Sequence, residues 1–170
     1  MRVLLIRHGT AEDAGYRDGR PVTDENRELT KEGRGEIKQV GLVLSRIVPK
    51  VDKIAASPLA RAAQTAEIIS RNYTSGPVEE LKALIPHGSV FAVLSWLEQQ
   101  DPSSSIALVG HEPSIGLLTG WLVCGEERTP VHFSKGSACC VEFAGCPTPG
   151  GGTIRWMLTR KIAALLCDKI

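Results

Sequence analysis

The chain has 170 residues, of which 42% are hydrophobic, and this size suits one globular domain spanning 1–170. Twenty lysines and arginines nearly balance nineteen aspartates and glutamates, which argues against nucleic acid as a partner. The apolar run at 3–6 is too short for a secretory signal, and no later stretch approaches the ~20 apolar residues of a membrane span. We therefore expect a cytoplasmic protein without membrane contact.

Strand-like and helix-like patterns alternate along most of the chain. The first strand is predicted at 2–6, and the segment after LTKEG places Ile37, Val40 and Leu44 on one face of a helix that ends before Pro49. The elements predicted beyond it are, in order, a strand at 51–57, a helix at 59–71, a weak strand near 77–81, a helix at 89–99, a strand at 105–110, a helix at 113–123, and strands at 138–143 and 153–158.

This alternation predicts an α/β fold with a largely parallel sheet and helices on both of its faces. The turn-rich connector CPTPGGGT separates the last two strands and is typical of a hairpin, so we expect an antiparallel edge. The segment 11–27 is polar and lacks periodicity. It is either a solvated loop or a rim over a site.

The five cysteines give an odd number and show neither a C-x-x-C pair nor a Cys/His spacing suited to zinc. We interpret them as reduced and structural, and we expect no metal or other cofactor. Cys139 and Cys140 are adjacent in a predicted strand, so their side chains should point to opposite faces of the sheet.

Candidate functional residues follow the predicted strands. RHG (7–9) follows the first strand, SPLAR (57–61) the second and GH (110–111) the strand SIALV, while PHG (86–88) precedes a helix. In an open parallel sheet, ligands bind at the carboxyl ends of the strands. Each motif alone also has a structural interpretation, because a histidine at a strand end is often structural and SPLAR suits an ordinary helix start.

Together, Arg7, His8, Arg61 and His111 form a set suited to an anion. Each guanidinium offers forked donors to phosphate oxygens. A neutral imidazole in such a pocket can act as a nucleophile, and a second histidine, if protonated, can stabilise the charge of the transition state. The pattern indicates a covalent phosphohistidine mechanism.

Four motifs, LLIRHGTA, LTKEGRGEI, AASPLARAAQTAEII and ALVGHEPSI, resemble in sequence and order those of the histidine phosphatase (phosphoglycerate mutase-like) superfamily. The short chain, LIPHG and HFSKGSACCVEF resemble one branch in particular, the SixA-type phosphohistidine phosphatases. The resemblance implies a phosphoglycerate mutase-like three-layer α/β/α sandwich. It also implies that His8 is the phosphorylated nucleophile and that Arg7, Arg61 and His111 surround the phosphoryl group.

Several neighbours have less certain roles. The resemblance implies that the Gly9 carbonyl orients the nucleophilic ring, and a residue without Cβ also leaves room beside it. Thr10 is either a phosphate-binding group or a turn residue, and His87 is either a substrate-binding group or a simple loop histidine. We assign Gln64 and Thr65 to helix packing and the surface.

Many members of this superfamily carry a carboxylic acid that protonates the leaving oxygen, and no such residue is evident in this sequence. Glu79, Glu80 and His87 are weak candidates for this acid. The two glutamates can also be interpreted as solvent-facing charges. General acid help accelerates ester cleavage about 10²–10⁴-fold, whereas phosphohistidine can leave as a neutral imidazole once its ring is protonated. The short chain also lacks room for lid insertions.

These features predict a metal-independent phosphatase acting on phosphohistidine of histidine phosphotransfer or signalling proteins. One alternative is a small-molecule phosphomonoesterase for a sugar phosphate or phosphoglycerate, so the partner is a phosphohistidine-bearing protein or a phosphorylated small molecule. Another is a non-catalytic phosphate-binding module. A nucleotide-binding protein is disfavoured because G-x-G-x-x-G and Walker A sequences are absent.

Overall fold

The computed structural model of the chain describes residues 1–17 and 20–167. Its strands and α-helices are, in chain order, β1 (Arg2–Arg7), β2 (Gly15–Arg17), β3 (Arg20–Val22), α1 (Lys31–Ile47), β4 (Lys53–Ala56), α2 (Ala60–Ser70), β5 (Glu79–Glu80), α3 (Val90–Glu98), β6 (Ser105–Gly110), α4 (Ser114–Cys124), β7 (Ala138–Glu142), β8 (Thr153–Leu158) and α5 (Arg160–Cys167). Short 3₁₀ helices cover Asp24–Asn26 and Lys82–Leu84.

The central sheet has six strands in the order β5-β4-β6-β1-β7-β8 within the described residues. The first four strands of this order pair in parallel, whereas β7 pairs antiparallel with both β1 and β8. The predicted α/β fold with a mostly parallel sheet and an antiparallel edge is therefore confirmed.

The register of the parallel strands aligns their carboxyl ends. Arg7 of β1 pairs with Gly110 of β6, and Ala56 of β4 pairs with Val109 one residue before that strand ends. The residues that follow these three strands consequently emerge side by side at one edge of the sheet. The three motifs that follow predicted strands, RHG, SPLAR and GH, begin at this edge of the sheet.

Helices cover both faces of the sheet, which gives the three layers. Successive residues of β1 alternate between two buried clusters, because side chains of a strand point to opposite faces. Leu4 and Ile6 pack with residues of α1, α2 and α5, while Val3 and Leu5 pack with residues of α3 and α4. Cys140 belongs to the first cluster and Cys139 to the second, which confirms that this pair points to opposite faces.

The described residues include no group of His, Cys, Asp or Glu that could hold a metal ion. All five cysteines are free. Burial raises the pKa of the Cys139 thiol to about 12 and that of Cys140 to about 11, which agrees with a structural role. None of the described helices is both long and apolar enough to cross a membrane.

Three regular elements were missed by the sequence prediction. The segment 11–27 contains β2 and β3, which pair antiparallel, and its residues 18 and 19 lie outside the described part. The third is α5, in which Ala163 is the buried residue. β2 and β3 have three residues each, which is too short to show a hydrophobic period, and α5 has only eight residues.

Candidate active site

His8 is the first residue after β1 and lies at the centre of the site. Its backbone N–H donates to the Gly110 carbonyl at 3.0 Å, and its side chain is buried. The ring atom Nδ1 lies 2.7 Å from the Gly9 carbonyl oxygen. Because a carbonyl only accepts hydrogen bonds, Nδ1 carries the hydrogen and Nε2 keeps its lone pair in the neutral ring.

Burial lowers the pKa of His8 to about 4, and the nearby guanidinium groups of Arg61 and Arg7 add to this effect. The hydrogen bond to Gly9 opposes the shift but does not cancel it. His8 is therefore neutral at physiological pH. Its Nε2 atom is the chemically available nucleophile.

Arg61, on the first turn of α2, contacts both His8 and the segment 20–27. Its Nε donates to Nε2 of His8 at 3.3 Å, so the lone pair of Nε2 accepts this hydrogen bond in the free protein. Nη1 donates to the Asp24 carbonyl at 2.6 Å, and Nη2 donates to the Asp24 carboxylate at 3.0 Å. The sequence allows two interpretations of segment 11–27, a solvated loop or a rim over the site. The contact of Asp24 with Arg61 favours the rim.

His111 follows β6 and faces His8, with the two ring centroids 4.9 Å apart. Its Nε2 lies 2.9 Å from the hydroxyl oxygen of Ser57, which itself follows β4. Burial lowers the pKa of His111 to about 3, and the neighbouring His8 and Arg61 add to the shift. His111 is thus neutral in the free protein, so the protonated form considered above would require an anion beside it.

Arg7 is the last residue of β1 and is oriented by the loop before β7. Its Nη1 donates to the Phe133 carbonyl at 2.6 Å. The N–H of Phe133 in turn donates to the Glu112 carboxylate at 2.9 Å. Burial lowers the pKa of Arg7, and the charge of Glu112 opposes this effect.

Two buried nitrogen atoms of the site, Nε of Arg7 and Nδ1 of His111, have no hydrogen-bond partner among the described residues. A buried polar atom without a partner costs about 1–3 kcal/mol. Arg7 Nε is an obligate donor, and His111 Nδ1 is a donor when the Ser57 hydroxyl donates to Nε2. The unpartnered donors of Arg7 and His111, together with the guanidinium group of Arg61, suit a tetrahedral oxyanion.

Thr65 corrects the sequence interpretation, which assigned it to helix packing and the surface. The side chain is fully buried, and its hydroxyl accepts from the Gly9 N–H at 3.1 Å while donating to the Arg61 carbonyl at 2.7 Å. The signal was present in its spacing, because Thr65 lies four residues after Arg61 and so shares its helix face. Gln64 accepts from the Leu29 N–H at 2.9 Å.

Gly9 and Thr10 are tied to α1. A Cβ on Gly9 would lie 2.6 Å from Cγ1 of Ile37, so this position requires glycine. The Thr10 hydroxyl donates to Glu36 at 3.0 Å and accepts from Arg160, which also pairs with Glu36. These contacts of Thr10 go to α1 and α5 rather than to the two histidines.

The weaker candidates are not joined to this group by any hydrogen bond between described residues. His87 is exposed, has φ of 59°, and its backbone N–H donates to Ser114 at 2.9 Å. Glu79 accepts from the Trp96 indole at 2.9 Å and lies 3.6 Å from Lys53. Its carboxylate therefore fixes α3 to β5, while Glu80 is exposed at the edge strand.

Fold and site together define an α/β protein with two histidines and two arginines at the carboxyl edge of its sheet. The profile of the "Histidine phosphatase superfamily (branch 1)" matches residues 3–85. An uncharacterized protein of Picosynechococcus sp. (strain ATCC 27264 / PCC 7002 / PR-6) is 36% identical over 138 residues, which cover 79% of this chain and 81% of that protein. The chain belongs to the histidine phosphatase superfamily.

Two further comparisons extend over nearly the whole chain. Phosphohistidine phosphatase SixA of Escherichia coli (strain K12) is 29% identical over 164 residues, 94% of each protein. A solved structure of the protein histidine phosphatase SixA complexed with tungstate superimposes with a TM-score of 0.81 and 28% identity, covering 95% of this chain and 98% of the other. The resemblance to SixA predicted from the motifs is therefore confirmed.

Proposed function

We propose that this protein is a metal-independent phosphatase that removes the phosphoryl group from phosphohistidine on proteins through a phospho-His8 intermediate. The observation that carries the proposal is the Nε2 lone pair of a neutral His8, which accepts from Arg61 and lies near the unpartnered buried donors of Arg7 and His111. In this proposal Arg7, Arg61 and His111 bind the phosphoryl oxygens. In this proposal the nucleophile and the groups that bind the phosphoryl oxygens all come from this chain.

In the first step, Nε2 of His8 attacks the phosphorus atom and the P–N bond to the substrate histidine breaks. The substrate imidazole, protonated on its other nitrogen, takes the electron pair of that bond and leaves as neutral imidazole. The guanidinium groups and the Nδ1–H of His111 stabilise the negative charge on the equatorial oxygens. The Nδ1–H of His8 stays on the Gly9 carbonyl and stabilises the positive charge that develops on the ring.

In the second step, a water molecule attacks the phosphorus atom of phospho-His8. The P–Nε2 bond breaks, its electron pair returns to Nε2, and the proton of the water goes to the phosphate that is released. The sum of both steps is phosphohistidine plus water giving histidine plus inorganic phosphate. Arg61 and His111 serve the same oxygens in both steps, because the phosphoryl group stays in one pocket.

The choice of phosphohistidine over an ester rests on the leaving group. The carboxylate that contacts Arg61 belongs to Asp24. Burial disfavours its charged form, but hydrogen bonds from Arg27 and Arg61 hold its pKa below the usual value. An ionised carboxylate cannot donate the proton that an alkoxide leaving group needs. Similarity to SixA, a phosphohistidine phosphatase by name and a binder of the oxyanion tungstate, supports the same substrate.

The test compares wild-type protein with His8→Ala and His132→Ala. His132 is an exposed histidine outside the site and serves as a matched control. Each protein is incubated with a histidine phosphotransfer domain carrying radioactive phosphohistidine, and with a phosphoserine peptide in parallel. We expect the wild type and His132→Ala to release phosphate from the phosphotransfer domain and to show a transient phosphoenzyme. His8→Ala should do neither.

Full activity of His8→Ala would contradict the mechanism. Equal or faster hydrolysis of the phosphoserine peptide would instead indicate a phosphomonoesterase. Binding of phosphate without any phosphoenzyme after quenching would indicate a binding module.

A further inference from the structure

A surface groove with a volume of about 490 Å³ lies beside the candidate active site. Its lining includes Glu25, Pro58, Leu59, Glu80 and Ile85, and we refer to it as the acidic groove. In two chain segments, 24–25 and 57–61, groove residues are direct sequence neighbours of site residues: Glu25 of Asp24, Pro58 of Ser57, and Ala60 of Arg61. A substrate bound at Arg61 would therefore extend into this groove or along its rim.

The charges of the groove differ in sign from those of the phosphate site. Glu25 and Glu80 are exposed, and neither carboxylate makes a hydrogen bond or an ion pair with another described residue. Lys82 also lines the groove, so two carboxylates and one ammonium group give a net charge of −1. The adjacent site, by contrast, presents Arg7 and Arg61.

A positive site beside a negative groove favours some phosphorylated ligands over others. A small phosphorylated acid, with a second anionic group close to its phosphate, would place that group against Glu25 or Glu80 and be repelled. A lysine or arginine beside the phosphoryl group would instead be repelled by the site and attracted by the groove. The groove thus matches a substrate that combines one phosphoryl group with a nearby cation.

We propose that the acidic groove binds a lysine or arginine side chain that lies next to the phosphohistidine on the substrate protein. The aliphatic part of such a side chain would pack on Leu59 and Ile85, while its charged end meets Glu25 and Glu80. This inference rests on the proposed function and specifies its substrate further. It assigns the groove to substrate selection and gives it no part in bond cleavage.

The test uses two synthetic phosphohistidine peptides, one with lysines and one with glutamates flanking the phosphohistidine, and free phosphohistidine as a small probe. Wild-type protein should have a kcat/KM about tenfold higher for the lysine peptide, mainly through KM, and the ratio should shrink at high salt. The double variant Glu25→Gln/Glu80→Gln should lose most of this preference. Its activity on free phosphohistidine should be unchanged.

Two further variants test whether the effect depends on the position of the charges. Glu32→Gln/Glu98→Gln removes two exposed glutamates elsewhere and changes the net charge equally, so it should keep the wild-type preference. Lys82→Met removes the cation of the groove and should lower KM for the lysine peptide.

Equal kcat/KM for the two peptides in the wild type, or an unchanged preference in Glu25→Gln/Glu80→Gln, would overturn the assignment of the groove. Hydrolysis of free phosphohistidine would in that case leave the proposed function standing. Failure to hydrolyse any of the three probes would reject both the proposed function and the groove proposal that depends on it.

Discussion

Arg61 and Asp24 are joined by two hydrogen bonds, from Nη1 to the Asp24 backbone carbonyl at 2.6 Å and from Nη2 to its carboxylate at 3.0 Å. The arginine side chain is 5% exposed, whereas that of Asp24 is 57% exposed. A carboxylate on the surface therefore contacts donors of a buried guanidinium that a phosphoryl oxygen would also use. Under the proposed function, Asp24 and the oxyanion therefore compete for Arg61.

Replacing Asp24→Asn should consequently tighten the binding of tungstate. The variant removes a negative charge next to the anion site, and for a charge this exposed the gain is about 1 kcal/mol, or roughly fivefold in Kd. Calorimetric titration of the protein with tungstate measures the change. Asp13→Asn, which alters an exposed aspartate of the same segment, should leave Kd unchanged.

Weaker tungstate binding by Asp24→Asn would contradict this competition. It would show that the carboxylate holds Arg61 in its binding geometry instead.

The sequence contained enough information to place His8, Arg61 and His111 at one edge of the sheet. Strands β1, β4 and β6 are short, apolar and followed at once by polar residues, and parallel pairing alone brings their ends together. The role of Asp24 could not be derived in this way, because it depends on how a polar segment packs against the strand ends and leaves no local periodicity. The spacing of Thr65 from Arg61 places both on one helix face, but its contact with Gly9 depends on how that helix packs against the strand end.

Thr65 provides a test of that packing. Thr65→Val keeps the shape of the side chain but leaves the Gly9 N–H without its acceptor, which should lower the free energy of unfolding by about 1–3 kcal/mol. Because Gly9 also orients the His8 ring, we expect kcat for phosphohistidine to fall while the KM changes little. Urea denaturation and steady-state kinetics measure the two effects.

Thr119→Val is the matched control for this substitution. Thr119 is equally buried, but its hydroxyl donates only to the Ile115 carbonyl of its own helix. It should lose less stability than Thr65→Val and keep its kcat. An undiminished kcat in Thr65→Val would mean that the contact between Thr65 and Gly9 has no part in orienting His8.

The two buried histidines should make the stability of the protein depend on pH. In the folded protein the pKa is about 4 for His8 and about 3 for His111, below the value of about 6.5 expected in the unfolded chain. As the pH falls below about 6.5, the unfolded chain therefore binds protons that the folded protein does not. The free energy of unfolding should decrease by about 1.4 kcal/mol per pH unit for each histidine, down to a pH near the folded value.

Urea denaturation at pH values between 7 and 4 measures this slope in wild type, His8→Asn, His111→Asn and His132→Asn. Each site variant removes one group whose pKa differs between the two states, so its slope should be shallower than that of the wild type. His132→Asn should keep the wild-type slope, because that side chain is exposed. Identical slopes in all four proteins would mean that His8 and His111 bind protons in the folded protein as readily as in the unfolded chain. Burial would then not be what keeps the His8 ring neutral.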